Sequence, residues 1–112
     1  MCGISGCYLQ RPLNENDIEI MRRIRDSLLH RGPDGAGEYI NVEQGIYMGH
    51  RRLSIIDLDK RSAQPLKGEH QIISFNGEIY NYLELRDMCV ELGIYEKIPE
   101  RTRFCGQHIQ DK

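Results

Sequence analysis

The sequence lacks any run of about 20 consecutive apolar residues, which excludes an ordinary membrane-spanning helix. It also lacks a block of basic residues, and its formal net charge of -2 argues against nucleic-acid binding. No charged region followed by an apolar run opens the chain, so no secretory signal peptide is predicted. These absences favour a cytoplasmic protein.

Cysteine is present, but its pattern does not suggest a disulfide framework. Cys2, Cys7, Cys89 and Cys105 could pair, yet without a secretory signal we expect reduced thiols. Cys105 and His108 have a spacing that a metal could use, but nothing nearby completes a site, so we predict no metal. With 112 residues, 39% hydrophobic and 29% charged, the chain suits one globular domain with a modest core.

Apolar periodicity and turn residues predict strands at residues 3–9, 38–42, 45–53 and 71–75. We expect a turn at residues 34–37 and a loop at residues 59–70, with a further apolar run at 54–58. The order of strands, helix, strands and helix predicts an α+β fold with antiparallel pairing.

Two helices are predicted between these strands. The first has Asn16 as its N-cap with Glu19 as capping-box partner, and ends near Arg31. Its buried face should carry Ile20, Met21, Ile24 and Leu28. The second runs over residues 78–92 and stops at Gly93. Its apolar stripe consists of Tyr82, Leu85, Cys89 and Leu92.

Cys2 is the first candidate for chemistry. If Met1 is removed, Cys2 carries a free α-amine with a pKa near ~8 beside its own thiol, so one residue supplies nucleophile and base. The alternative is a small, buried strand residue, which is the commoner role of a lone cysteine.

Two further stretches are candidates for binding and stabilising a substrate. Arg51 and Arg52 enter an apolar run, where they are either solvated strand-end charges or a two-point carboxylate site. Asn76 and Gly77 follow a strand and precede helical spacing, so a strand-to-helix turn is favoured over a hairpin. Such a turn can present a side-chain amide and a backbone N–H as an oxyanion hole, with Glu78 favoured at the helix start.

Five ordered segments together resemble the class II glutamine amidotransferase domain, and most closely that of glutamine-hydrolysing asparagine synthetases. They are residues 2–6 (CGISG), 30–34 (HRGPD), 52–57 (RLSIID), 64–66 (QPL) and 75–81 (FNGEIYN). The resemblance covers residues 2 to about 93 and implies a four-layer αββα sandwich of the N-terminal-nucleophile hydrolase type.

The resemblance also implies roles. Cys2 attacks the carboxamide of glutamine, its α-amine acts as base and then acid, and Asn76 with the Gly77 N–H stabilises the oxyanion. Substrate binding would involve Arg52 at the α-carboxylate, backbone groups at Leu53 and Ile55, and Glu78 near the α-amino group.

Residues 94–112 do not resemble the family. We therefore divide the chain into an amidotransferase part at 1–93, incomplete at its C-terminus, and a divergent tail at 94–112. A family aspartate for the substrate amine is missing from the tail. We expect a fragment, a truncated product or a shifted reading frame, with weak glutaminase activity. ATP and Mg²⁺ would be used only by a synthetase domain absent here. The alternatives are a catalytically inactive product or a module that docks to an intact synthetase.

Overall fold

The computed structural model describes residues 2–53, 63–77 and 79–94. Their elements in chain order are β1 (Gly3–Tyr8), α1 (Glu15–Ser27), β2 (Gly35–Asn41), β3 (Ile46–Arg52), β4 (Leu66–Lys67), β5 (Ile72–Ile73) and α2 (Tyr82–Glu91). All strand pairs within the two sheets are antiparallel, which confirms the predicted α+β class. Neither helix of the described part is long and apolar enough to cross a membrane.

The main sheet has three strands in the order β1-β3-β2, with β3 at its centre. Gly3 at the start of β1 pairs with Arg51, near the end of β3. On the other side, Gly35 at the start of β2 pairs with Arg52. The antiparallel register therefore brings the N-terminus of the chain to the C-terminal end of the central strand.

Helix α1 covers one face of this sheet through a small core. Leu13, Met21 and Tyr47 are buried there, with Cys7 and Ile18 packed against them. The predicted buried face of α1 was wrong for two positions, and only Met21 of that set is fully buried.

Ile20 and Ile24 are each 45% exposed, although both were predicted to face the core. The inward face instead follows Ile18, Met21, Arg25 and Leu28, which are three or four residues apart. An arginine belongs to this face because it pairs with a carboxylate on the sheet, which apolar periodicity does not reveal.

The N-terminus of α1 lies two residues earlier than predicted. Asn14 accepts a hydrogen bond from the Asp17 backbone N–H at 2.8 Å, and the Asp17 carboxylate accepts one from the Asn14 N–H at 2.9 Å. This is a complete capping box, so the prediction of Asn16 with Glu19 is wrong. Arg11 adds an ion pair to this capping box, with its guanidinium 2.6 Å from the Asp17 carboxylate.

A polar network joins α1 to the sheet at Glu38. Its carboxylate accepts hydrogen bonds from Arg22 and Arg25 of α1 and, at 3.0 Å, from the hydroxyl of Tyr47. The bond from Arg22 is the main cause that lowers the pKa of Glu38. Burial, with the bond to Glu38, raises the pKa of Tyr47 to about 12.

Residues 63–77 pack on the face of the sheet opposite α1. The Lys67 ammonium lies 5.7 Å from the centre of the Tyr39 ring, and Pro65 and Leu66 are buried. β4 and β5 form a short hairpin here, although β4 falls within a predicted loop and β5 is only the middle of a predicted strand. The predicted turn at 34–37 is largely the start of β2, because its glycines pair regularly with β3.

Helix α2 begins at Tyr82, four residues later than predicted, and contains no buried residue. Leu85 and Leu92 of the predicted stripe are 42% and 71% exposed. Its end agrees with the prediction, because Gly93 adopts a positive φ of 67° just after the last helical turn. The elements described here form one helix-covered sheet with a hairpin on its other face, and not four layers on their own.

Candidate active site

Cys2 lies immediately before β1, half-buried at the end of the central strand. Its Sγ accepts a hydrogen bond from the backbone N–H of Leu53 at 3.4 Å. This contact follows from the sheet register. Gly3 pairs with Arg51, so the start of β1 lies beside the end of β3. The contact fixes the position of the Cys2 sulfur beside the end of β3.

Asn76 reaches the same point from the loop between β5 and α2. Its Nδ2 donates to the carbonyl oxygen of Cys2 at 3.2 Å. Gly77 follows Asn76. A Cβ at Gly77 would lie 2.9 Å from the Phe75 ring, so the Gly77 backbone packs closely against that ring. The loop therefore places an amide side chain beside the candidate nucleophile.

Arg52 ends β3 and adjoins Leu53, whose amide contacts the Cys2 sulfur. It forms a parallel bridge with Pro33, and its carbonyl oxygen accepts from the Asp34 N–H at 3.0 Å. The motif at residues 30–34 is thus packed along the end of the central strand. Sequence spacing alone did not predict this position.

The two neighbouring arginines are divided between the faces of the sheet. Arg51 is on the α1 side, where its Nε donates to the carbonyl oxygen of Gly32 at 2.9 Å. It also pairs with Asp26 at 3.4 Å, and its side chain is 11% exposed. Because side chains alternate along a strand, Arg52 is directed to the opposite face. Arg51 therefore fastens α1 and the 30–34 segment to the sheet.

His50 is a buried residue beside the candidate site to which the sequence assigned no role. It is 2% exposed, and its Nδ1 lies 3.0 Å from Oγ of Ser74. Burial, with the nearby charge of Arg52, lowers its pKa and favours the neutral imidazole. The sequence signal that could have found His50 is its position two residues before Arg52. Side chains alternate along a strand, so both residues lie on the same face of β3.

Of the predicted site residues, Cys2, Leu53 and Asn76 are brought together directly, and Arg52 and Gly77 adjoin them in the chain. Ile55 and Glu78 lie outside the described residues, as do positions 95–112 of the divergent tail. Cys2, Cys7 and Cys89 carry free thiols. No group of three or more potential metal ligands occurs among the described residues.

The chain matches the model of a known protein family over most of its length. The profile of the glutamine amidotransferase domain matches residues 1–95. The chain belongs to this family. Every described contact around Cys2 lies within the residues of this amidotransferase domain that the profile matches.

Curated relatives point to the asparagine synthetase branch. Asparagine synthetase [glutamine-hydrolyzing] 1 of Bacillus subtilis is 42% identical over 91 residues, which are 78% of this chain and 14% of the relative. The asparagine synthetase of Brassica oleracea is 46% identical over 92 residues, 77% of this chain and 14% of the relative. This is the class II glutamine amidotransferase domain found in asparagine synthetases.

A relative with another name matches the same amidotransferase domain. Amidase chry2 of Gibberella zeae is 35% identical over 96 residues, covering 73% of this chain and 14% of the relative. The chain thus spans about 14% of the length of these curated relatives. No solved structure matches it significantly.

Proposed function

We propose that this chain hydrolyses glutamine to glutamate and ammonia, with Cys2 as an N-terminal nucleophile. The observation that carries the proposal is the meeting of three groups: the Cys2 thiol, the Leu53 amide and the Asn76 side chain. Membership of the amidotransferase family supplies the substrate, and the described contacts supply the local chemistry.

The first chemical step requires a free α-amine on Cys2, hence removal of Met1. The amine, with a usual pKa near ~8, accepts the thiol proton, and the sulfur attacks the carboxamide carbon of glutamine. The carbonyl becomes an oxyanion, which the Asn76 side chain and the Gly77 N–H stabilise.

The second step releases ammonia. The oxyanion collapses, the C–N bond breaks, and the protonated α-amine gives its proton to the departing nitrogen. A thioester between glutamate and Cys2 remains. Water attacks the thioester while the same amine takes one of its protons. The C–S bond then breaks, glutamate is released, and the protonated amine returns the proton to the Cys2 sulfur. The cycle consumes one water and needs no cofactor from this chain.

Substrate recognition falls to the end of β3 in this proposal. The Arg52 guanidinium would bind the α-carboxylate of glutamine in two-point contact, beside the backbone of Leu53. Ile55 and Glu78 are proposed to line the rest of the site, Glu78 near the α-amino group. A four-layer sandwich of the N-terminal-nucleophile type would enclose these residues. Its support is the family match and the antiparallel sheet with α1 on one face.

In the same proposal, a synthetase domain uses the ammonia that this chain releases. The relatives from Bacillus and Brassica are named as glutamine-hydrolysing asparagine synthetases. ATP and Mg²⁺ are proposed to act in that second domain. A second candidate is an inactive module that docks to an intact synthetase. The exposed apolar side chains of α2, including Met88 at 55% and Val90 at 56%, favour this candidate.

Ammonia release from glutamine by the full chain tests the proposal. Cys2→Ala should abolish it, whereas Cys89→Ala, on the exposed helix, should leave it unchanged. A diazo-ketone analogue of glutamine should label Cys2 and spare Cys7 and Cys89 in peptide mapping. Intact mass should show loss of Met1. Labelling spread evenly over all cysteines, or turnover by a chain that keeps Met1, contradicts the mechanism.

Co-elution with a full-length asparagine synthetase decides the second candidate. An inactive chain that elutes with the synthetase supports docking. Turnover by the isolated chain, with no co-elution, supports the hydrolase.

A further inference from the structure

We propose that His50 and Ser74 form a brace that positions the Asn76–Gly77 turn against Cys2. The two braced residues lie on different elements, His50 in the centre of the main sheet and Ser74 just after β5. The kinetic consequence of the brace rests on the proposed glutaminase function, but its structural consequence does not.

The geometry of the brace links the two halves of the candidate site. His50 is two residues before Arg52, and Ser74 is two residues before Asn76. The 3.0 Å contact between His50 Nδ1 and Ser74 Oγ therefore ties the substrate-binding strand to the loop that carries the amide. With His50 only 2% exposed, water cannot readily replace this bond.

A second contact acts on the same loop. The Phe75 N–H donates to Oε1 of Gln64 at 2.5 Å. The backbone of Gln64 lies against β2, where a Cβ on Gly37 would come within 1.9 Å of the Gln64 carbonyl oxygen. The loop is thus held at two successive residues, Ser74 and Phe75, by groups that both rest on the main sheet.

His50 acts in this arrangement as a positioning residue. Its Nδ1 is engaged with Ser74, and the ring is enclosed, so it does not present this nitrogen to a substrate. A neutral imidazole suits the role, because Nδ1 can either accept from or donate to a hydroxyl. Displacing a catalytic group by about 1 Å can cost ~10²-fold in rate, so a small movement of Asn76 should be measurable.

A matched pair of variants isolates the hydroxyl. Threonine and valine have the same shape, so Ser74→Thr keeps the bond to His50 while Ser74→Val removes it. We expect kcat for glutamine to fall ~10- to 100-fold in Ser74→Val and to stay within about threefold of wild type in Ser74→Thr. KM should change little in both, because Arg52 is untouched. Ser27→Ala, an exposed hydroxyl bonded to the Ile24 carbonyl, is the control.

A spectroscopic readout makes the test independent of turnover. In protein labelled with ¹⁵N-asparagine, the Asn76 side-chain amide is assigned by its loss in Asn76→Asp. Its resonances should shift in Ser74→Val and in His50→Phe, and stay near their wild-type positions in Ser74→Thr. Should His50→Phe fail to fold, the Ser74 pair decides by itself.

The outcomes separate the two proposals. An inactive wild type whose Asn76 amide shifts in Ser74→Val contradicts glutamine hydrolysis and supports the brace. An active wild type in which Ser74→Val and Ser74→Thr share kcat and Asn76 resonances contradicts the brace. An equal loss in Thr and Val overturns it as well, since the hydroxyl would then not be the relevant group.

Discussion

Asn76 donates from its side-chain nitrogen to the carbonyl oxygen of Cys2 at 3.2 Å, across 74 positions of sequence. The contact joins the residue before β1 to the loop that follows β5. Because Leu53 contacts the Cys2 sulfur from just after the central strand, three separate segments converge on one residue. Such convergence suits a site that must both activate a nucleophile and stabilise a charge.

The first prediction concerns Asn76. Asn76→Ala should lower kcat for glutamine ~10²- to 10³-fold with a smaller effect on KM, because the oxyanion exists only in the transition state. Steady-state ammonia release measures both constants. Asn81→Ala is the matched control, because the Asn81 side chain makes no capping hydrogen bond at α2. A loss confined to KM would mean that Asn76 binds the ground state instead.

The second prediction concerns Arg52. Arg52→Lys keeps the charge but loses the planar fork, so KM for glutamine should rise ~10-fold or more while kcat changes little. The same kinetics measured with Arg23→Lys, an exposed position on α1, provide the control. If Arg52→Lys lowers kcat with KM unchanged, Arg52 does not act as the carboxylate anchor.

Sequence reasoning succeeded where a short-range signal and the fold agree. β1 and β3 were predicted almost to the residue, since their apolar runs are bounded by turns and pair regularly. Cys2 and Asn76 were singled out for their chemistry and lie together. Their proximity itself could come only from the family resemblance, because no local pattern specifies a contact over that distance.

The failures have two physical causes, which are tertiary contacts and elements too short to leave a pattern. The α1 face was misassigned because Arg25 occupies an inward position that only its pairing with Glu38 makes favourable. β4 was missed because two paired residues are too few to create a periodic pattern. His50 received no role because its partner Ser74 belongs to a distant segment.

The third prediction tests the capping box. Asn14→Ala should reduce the free energy of unfolding by about 1 kcal/mol, since it leaves the Asp17 N–H without its partner. Asn16→Ala should change it by less than about 0.5 kcal/mol, because Asn16 is exposed within the first turn. Denaturant unfolding of both variants measures the difference. Equal effects would argue against Asn14 as the cap.

The fourth prediction uses two glycines on the same face of β2. A Cβ on Gly37 would lie 1.9 Å from the Gln64 carbonyl oxygen, whereas one on Gly35 would lie 3.8 Å from the Arg52 Cβ. Gly37→Ala should therefore destabilise the fold by ~1–3 kcal/mol, because the 63–77 segment must move. Gly35→Ala should be neutral or stabilising by up to about 1 kcal/mol. Thermal melts compare them, and a tolerated Gly37→Ala would refute the close packing of this segment.

The last prediction concerns pH and the network around Glu38. Arg22 holds the pKa of Glu38 below its usual range, so the stability from this group is complete above pH ~4.3 and is lost as pH falls through the lowered pKa. The pKa of Tyr47 is shifted in the opposite direction, so its contribution to stability is lost at high pH. Burial raises its pKa to about 12, so its contribution is complete below pH ~10 and is lost between ~10 and ~12.

Tyr47→Phe isolates the alkaline part, because it keeps the ring and removes the titrating hydroxyl. The rise from 10.0 to about 12 corresponds to about 3 kcal/mol of unfolding free energy lost by wild type across that range. Unfolding at pH 9 to 12 should show this excess loss in wild type and not in Tyr47→Phe. Tyr8→Phe, whose residue is 72% exposed, should follow wild type. Parallel curves for wild type and Tyr47→Phe would show that folding does not raise the pKa of the Tyr47 hydroxyl, because only a pKa difference between folded and unfolded states makes stability depend on pH.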